Sequence, residues 1–232
     1  MTAGGAAAGA PVDAMAGGPV LVVTDVDSTL IRDEVIEVLA RAVGPDAERH
    51  VAAVTERAMA GELDFAASLA ERLLILEGLP VSVVDDARAQ ITVTAGVPEL
   101  IAAVHARGGA VAAVSGGFHE VLDPLAAELG IDHARANRLE VADGRLTGRS
   151  SGPVIDAAAK RDTLESLRLN LGIPRERVMA VGDGANDLLM MEAAGVSVAF
   201  CAKPAVRRAA TDVVDVPDFR LLIPLLPGGA AH

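Results

Sequence analysis

The chain has 232 residues, a hydrophobic fraction of 51% and a formal net charge of -12. That length holds one domain with a modest insertion and a sizeable core, while the acidity argues against a nucleic-acid surface and means that any phosphorylated ligand needs a local concentration of positive charge. With no Trp, no Tyr and four Phe, the core must be aliphatic and platforms for stacking nucleobases are poorly supplied.

Residues 1–18 are mostly Ala and Gly and read as a disordered tail. The first basic residue, Arg32, lies beyond the first strand, so no secretory signal is expected. No apolar run approaches the roughly 20 residues that cross a bilayer, and no membrane association is expected. The single cysteine, Cys201, excludes an internal disulfide framework and suits a cytoplasmic location. The oligomeric state is left open.

The run Pro19 to Val23 is apolar without alternation, the pattern of a central parallel strand covered on both faces. It stops on Asp25-Val26-Asp27-Ser28-Thr29, which places two carboxylates at the carboxyl end of a strand, where ligands of such sheets bind. Two acids so close repel unless a cation, a proton or a substrate group reconciles them, and a hard divalent ion is one solution. A solvated turn at the strand end is the plainer alternative.

Helical periodicity follows, with Asp33 as the expected N-cap, Val35, Ile36, Val38 and Leu39 as the apolar stripe and Gly44-Pro45 as the stop. Glu34 stands at the start of this helix, where an acid also suits the helix dipole. Further helices are expected from Asp46 to Ala60, from Asp64 to Glu77 and from Ser82 to Ala89, with a strand signal at Ile91-Thr92-Val93-Thr94. A crossover needs only about a dozen residues, so residues 35–95 read as a helical cap inserted into a core of residues 19–34 and 96–226. Arg72, on the third helix, has the ordinary alternative of a solvated surface residue.

The α/β rhythm then resumes with a helix from Pro98 to Gly108 and an apolar strand Ala110 to Val114 that ends in Ser115-Gly116-Gly117-Phe118. A hydroxyl and two glycines before a helix can form a nest of N–H groups for an anion, and an ordinary tight turn is the alternative. A hairpin is expected from Asn137 to Gly148, turned by Asp143-Gly144. Asp156 caps a helix from Ala157 to Asn170 whose first turn carries Lys160, a cation set against the helix dipole. The strand Arg177 to Val181 delivers Gly182-Asp183-Gly184-Ala185-Asn186-Asp187 at its end, and a last strand, Ser197 to Phe200, precedes Lys203-Pro204 and a helix. Residues 227–232 read as a frayed end.

The joint occurrence of DxDST, SGG, a lysine and GDGxND at successive strand ends is similar to the haloacid dehalogenase superfamily of phosphatases, and more closely to its phosphoserine phosphatase family, from about Val20 to Val214. The resemblance implies a doubly wound α/β sheet with a small helical cap. It implies Asp25 as a nucleophile that forms an aspartyl-phosphate and Asp27 as the general acid and base. Mg2+ would be held by Asp25, Asp183 and the Asp27 carbonyl, with Asp187 ordering Lys160 or a metal water. Ser115, Gly116, Lys160 and Asn186 would hold the phosphoryl group. Glu34 would receive the ammonium and Arg72 the carboxylate of a phosphoserine substrate, under apolar cover from Met59 and Phe65. Many bacterial members carry a regulatory N-terminal extension, and only the Ala/Gly tail precedes the first strand here, so regulation of that kind is not expected. A related small-molecule phosphatase or phosphotransferase is the neighbouring alternative, and a metal-binding scaffold without catalysis is the alternative of another class.

Overall fold

The computed structural model describes residues 18–59 and 62–228. Expectations for residues 1–17 and 229–232 lie outside the described residues. Seven strands form one sheet in the order β4-β3-β2-β1-β5-β6-β7. They are β1 (Leu21–Thr24), β2 (Ala110–Phe118), β3 (His133–Ala142), β4 (Arg145–Ser151), β5 (Val178–Gly182), β6 (Val196–Phe200) and β7 (Asp212–Val214). Neighbours run parallel except for the β3–β4 hairpin. In the hairpin turn Asp143 (φ 49°) and Gly144 (φ 73°) are both left-handed, as a tight two-residue turn requires.

β1 is the centre, with Thr24 aligned to Ala113 of β2 and to Val181 of β5. Alternation along these strands serves both faces: Val22, Val111 and Met179 join one buried cluster, while Leu21, Val23 and Ala180 join another on the opposite face. Two-sided burial explains why the sequence shows unbroken aliphatic runs instead of a period of two. The chain winds outward on both sides of β1, so the reversal of strand order lies between β1 and β5, where α/β sheets open a crevice at their carboxyl ends.

Between β1 and β2 lie the helices α1 (Val35–Val43), α2 (Pro45–Met59), α3 (Phe65–Leu73), α4 (Ser82–Arg88) and α5 (Val97–His105). α6 (His119–Leu129) follows β2, α7 (Ala157–Asn170) and α8 (Leu188–Ala193) flank β5, and α9 (Pro204–Ala209) joins β6 to β7. The segments entering and leaving α1–α4 pair with each other: Arg32 N–H donates to the Thr92 carbonyl (2.9 Å) and Thr94 N–H to that of Leu30 (2.9 Å). The far side of α1–α4 is tied to the hairpin, where Gly78 N–H donates to the Leu146 carbonyl and Leu146 N–H to that of Leu79, each at 2.8 Å.

Several local expectations change. Ile91 to Thr94 forms no strand, only an isolated bridge between Val93 and Ile31, because its partner is a short linker that offers nothing to extend the pairing. Asp33 does not cap α1; its carboxylate accepts from Thr92 N–H (2.8 Å), and Glu34 holds the cap position without a side-chain bond to the helix. The third helix stops at Leu73 and tightens into a turn at Leu74–Leu76. Ser115 to Phe118 continues β2, so the strand runs four residues past Val114 and the two glycines are extended strand leading into α6. Two short pieces escaped the periodicity: β7, and the turn Phe219–Leu225 whose Phe219 packs edge-on to Phe200 at 4.9 Å between ring centroids.

Candidate active site

Asp25 is delivered by β1, and its N–H continues the ladder onto the Val181 carbonyl (2.9 Å). The residue is only 4% exposed. The balancing charge is Lys160, which reaches in from the first turn of α7. Asp156 caps that turn by accepting from Ala159 N–H at 2.8 Å. Lys160 is wholly buried and its ammonium binds both Asp25 and Asp187, the latter at 2.8 Å. Burial opposes a charged lysine, but the two carboxylates more than offset it and hold Lys160 above the usual lysine range. Burial and the adjacent Asp187 push Asp25 well above the ordinary carboxylate range, and Lys160 pulls it back. The Lys160 ammonium, in direct contact with the Asp25 carboxylate, favours the ionised form of that acid. A cation at the start of α7 is thus explained by what it faces.

After Asp25 the chain leaves the strand through a wide turn, Val26–Leu30, in which Ser28 is left-handed (φ 57°). A serine held there is strained. The strain is offset by two contacts: Ser28 N–H donates to the Asp33 carbonyl (3.2 Å) and its hydroxyl to the Glu34 carboxylate (2.7 Å). The turn aims Asp27 back over the strand end. One carboxylate oxygen accepts from Val35 N–H at the start of α1 (2.8 Å), and the other accepts from the Ser115 hydroxyl (2.9 Å). Burial raises the affinity of Asp27 for a proton, against those hydrogen bonds. Asp27 therefore does the capping that the sequence assigned to Asp33.

The glycines of SGG serve close approach. A Cβ at Gly116 would lie 2.8 Å from the Phe65 ring, and one at Gly117 would lie 2.9 Å from an Asp27 carboxylate oxygen. Ser115, besides donating to Asp27, accepts from Gly117 N–H at 2.7 Å. Asn137, buried in β3, fixes this edge by donating to the Gly116 carbonyl (2.7 Å) and accepting from Ile155 N–H (2.8 Å). Sequence reading gave Asn137 no role beyond opening the hairpin, because in a strand that also carries His133, Arg135, Arg138 and Glu140 an amide does not stand out.

β5 ends on Asp183, whose carboxylate is raised by burial and by Asp187. Asp187 is wholly buried and accepts from the N–H groups of Asp183 (3.2 Å) and Gly184 (3.1 Å) as well as from Lys160. It orders both the lysine and the Asp183 loop, and a Cβ at Gly182 would collide with it. One carboxylate oxygen each from Asp25, Asp183 and Asp187 lies within 4.8 Å of the others. Asp183 has no side-chain hydrogen-bond partner among the described residues, and an all-oxygen set of this kind suits a hard divalent cation.

These strand ends form the floor of a cavity of about 500 Å³. α2 and α3 form its roof through Thr55, Ala58, Phe65, Ser68 and Arg72, while Asn186 and Lys203 line the side. Arg72 donates its Nε to the Ser68 carbonyl (3.2 Å), and among the described residues no carboxylate lies within ion-pair distance of it. Burial lowers its proton affinity, against the pull of Glu34. Glu34, also on the wall, is pushed up to about 7 by burial and by Asp27. An acid and a base thus face the same space, neither neutralised by the other. Met59 ends α2, and the expectation for its side chain lies outside the described residues. Thr55, Ser68 and Lys203 were not foreseen in the wall.

The family model of haloacid dehalogenase-like hydrolases matches residues 22–192. A phosphoserine phosphatase of Streptomyces coelicolor is 50% identical over 206 residues, which cover 89% of this chain and 50% of that protein. One from Streptococcus thermophilus is 46% identical over 206 residues, covering 89% of this chain and 95% of the relative. Among solved structures, a phospho-aspartyl intermediate analogue of phosphoserine phosphatase superposes with a TM-score of 0.83 at 40% identity, covering 90% of this chain and 99% of the other. Fold, motif order and relatives agree: the chain belongs to the haloacid dehalogenase-like hydrolases and, within them, to the phosphoserine phosphatase family.

Proposed function

We propose that the chain hydrolyses O-phosphoserine to serine and phosphate, the last step of serine synthesis, through an aspartyl-phosphate on Asp25. The carrying observation is that Asp25, bound to the ammonium of the buried Lys160, faces a cavity whose opposite wall presents Arg72 and Glu34. In this reading an Asp25 oxygen attacks phosphorus while Asp27 gives its proton to the departing seryl oxygen. A water then attacks the acyl phosphate, Asp27 takes its proton, and phosphate leaves with Asp25 restored. Ser115 now donates to Asp27; turning that hydroxyl to a phosphoryl oxygen frees the Asp27 oxygen to carry the transferable proton. Gly116 N–H, Lys160 and Asn186 complete the phosphoryl contacts.

The acidic cluster fits Mg2+, held by the Asp25 and Asp183 carboxylates and the Asp27 carbonyl, where the ion would neutralise charge on the phosphoryl oxygens. Arg72 takes the substrate carboxylate through its planar fork and Glu34 takes the ammonium, with Phe65 and Met59 as apolar cover. Helices α1–α4 act as the cap and the sheet with its remaining helices as the core. A cytoplasmic setting suits the exposed thiol of Cys201.

A panel of phosphomonoesters assayed with and without Mg2+ tests the reading. Phosphate release that needs the ion and prefers phosphoserine over phosphoethanolamine, which lacks the carboxylate, is expected. Equal rates on both would replace it with a broader small-molecule phosphatase, and no release from any ester would leave only a metal-binding scaffold.

A further inference from the structure

Of the 20 basic residues only two are lysines, Lys160 and Lys203; every other one is arginine. Both lysines belong to the same cavity, one buried beneath its floor and one on its wall. Outside this cavity every basic residue is arginine, whose rigid fork grips carboxylates in pairs, as Arg57 grips Glu71 and Arg220 grips Asp218. A lysine instead supplies a compact, hydrated point charge that leaves neighbouring acids free.

Lys203 occupies the cap position of α9, directly before Pro204, where a cation opposes the helix dipole and gives no local stability. Its N–H binds the Asp183 carbonyl (3.0 Å), which fixes its backbone beside the end of β5. Its exposed side chain makes no ion pair or hydrogen bond among the described residues. Among the described residues the cavity wall carries Asp25, Asp27, Glu34 and Asp183, and two cations, Arg72 on α3 and Lys203. Lys160 has no exposed surface, and its charge is matched at close range by Asp25 and Asp187, so it adds little to the field outside. On the phosphoryl side of an acidic mouth, in a chain of net charge -12, Lys203 is therefore the one open positive charge among the described wall residues.

We infer that Lys203 recruits the phosphate dianion, drawing the substrate's phosphoryl group past the acidic rim and toward Asp25. The inference rests on the phosphomonoesterase reading of the cavity. It explains why a flexible ammonium stands there: the charge must attract phosphate at long range yet leave Asp183 open and let the product go. A field of this kind acts through encounter and ground-state capture, so it belongs to kcat/KM.

The test compares wild type with Lys203→Gln and Lys203→Glu at saturating Mg2+, measuring kcat and kcat/KM for phosphoserine from low to high KCl. At low salt kcat/KM should fall roughly three- to tenfold for the Gln variant and further for the Glu variant, with the loss smaller in kcat. The three enzymes should converge as the screening length shrinks from about 10 Å at 0.1 M to about 3 Å at 1 M salt. Equal losses at all salt concentrations, a loss carried by kcat, or no difference at low salt would overturn the inference. A wild type that releases no phosphate from phosphoserine would instead sink the reading of the cavity itself, so the two failures are distinguishable.

Discussion

At the scale of single residues, Lys160 and Glu34 behave differently from what their sequence positions suggest. Lys160, set against the dipole of its own helix, adds nothing to that helix, but as the cation linking two buried carboxylates it stabilises the fold. Lys160→Met leaves Asp25 and Asp187 facing each other without a cation, and breaking a buried pair this way costs about 3–5 kcal/mol. Urea unfolding should show that loss together with loss of turnover, whereas a variant of unchanged stability would mean the charge is balanced by other means. Glu34 is an acid raised to about 7 in the free protein. Its ionised form is the one that receives an ammonium, so kcat/KM for phosphoserine should rise with pH through about 7 and weaken below it. The phosphoryl group's own titration near 6 adds a step that stays in Glu34→Gln, while the step near 7 disappears. A profile identical in the two proteins would remove Glu34 from ammonium binding.

At the scale of elements, the strand ends were readable and the pieces between them less so. DxD, SGG and GDGxND stand out because an apolar strand that stops on polar or glycine residues is a strong local pattern. Asp156 and the Asp143-Gly144 turn were readable for the same reason, each being set by its own side chain or φ. Ile91 to Thr94 misled because β-branched residues mark strand propensity, whereas a ladder needs a partner of equal length. SGG hid the end of β2 because glycines usually punctuate a strand, whereas here they stay extended and meet a demand for space under Phe65. That close approach between roof and floor is testable. Gly116→Ala puts a methyl group 2.8 Å from the Phe65 ring and should prop α3 away from the floor. KM for phosphoserine should rise about tenfold while the thermal midpoint moves by a few degrees at most. An unaltered KM would mean that the roof does not bear on Gly116 when substrate is bound.

At the scale of the molecule, one sheet with its order reversing beside β1 gathers residues from distant parts of the chain: Asp25, Ser115, Lys160 and Asp183 come from four separate segments. Among the described residues no helix is long and apolar enough to cross a membrane. Which residues roof the cavity was only partly legible, since Arg72 and Phe65 sit on helices whose facing depends on tertiary packing, and Lys203 follows a strand with no motif to mark it. Nor does the sequence show that Lys160 and Asp187 lose all contact with solvent, because burial of a charge is decided by partners far away in the chain. Hydrolysis at this crevice requires that Asp25 be the group that becomes phosphorylated. The most direct measurement is rapid acid quenching of the Mg2+-loaded enzyme during turnover of phosphoserine, followed by peptide mass spectrometry. One added phosphoryl group on the peptide containing Asp25, labile to hydroxylamine and absent from Asp25→Asn, is the predicted result; turnover with the phosphoryl group on another residue, or undiminished turnover by Asp25→Asn, would contradict it.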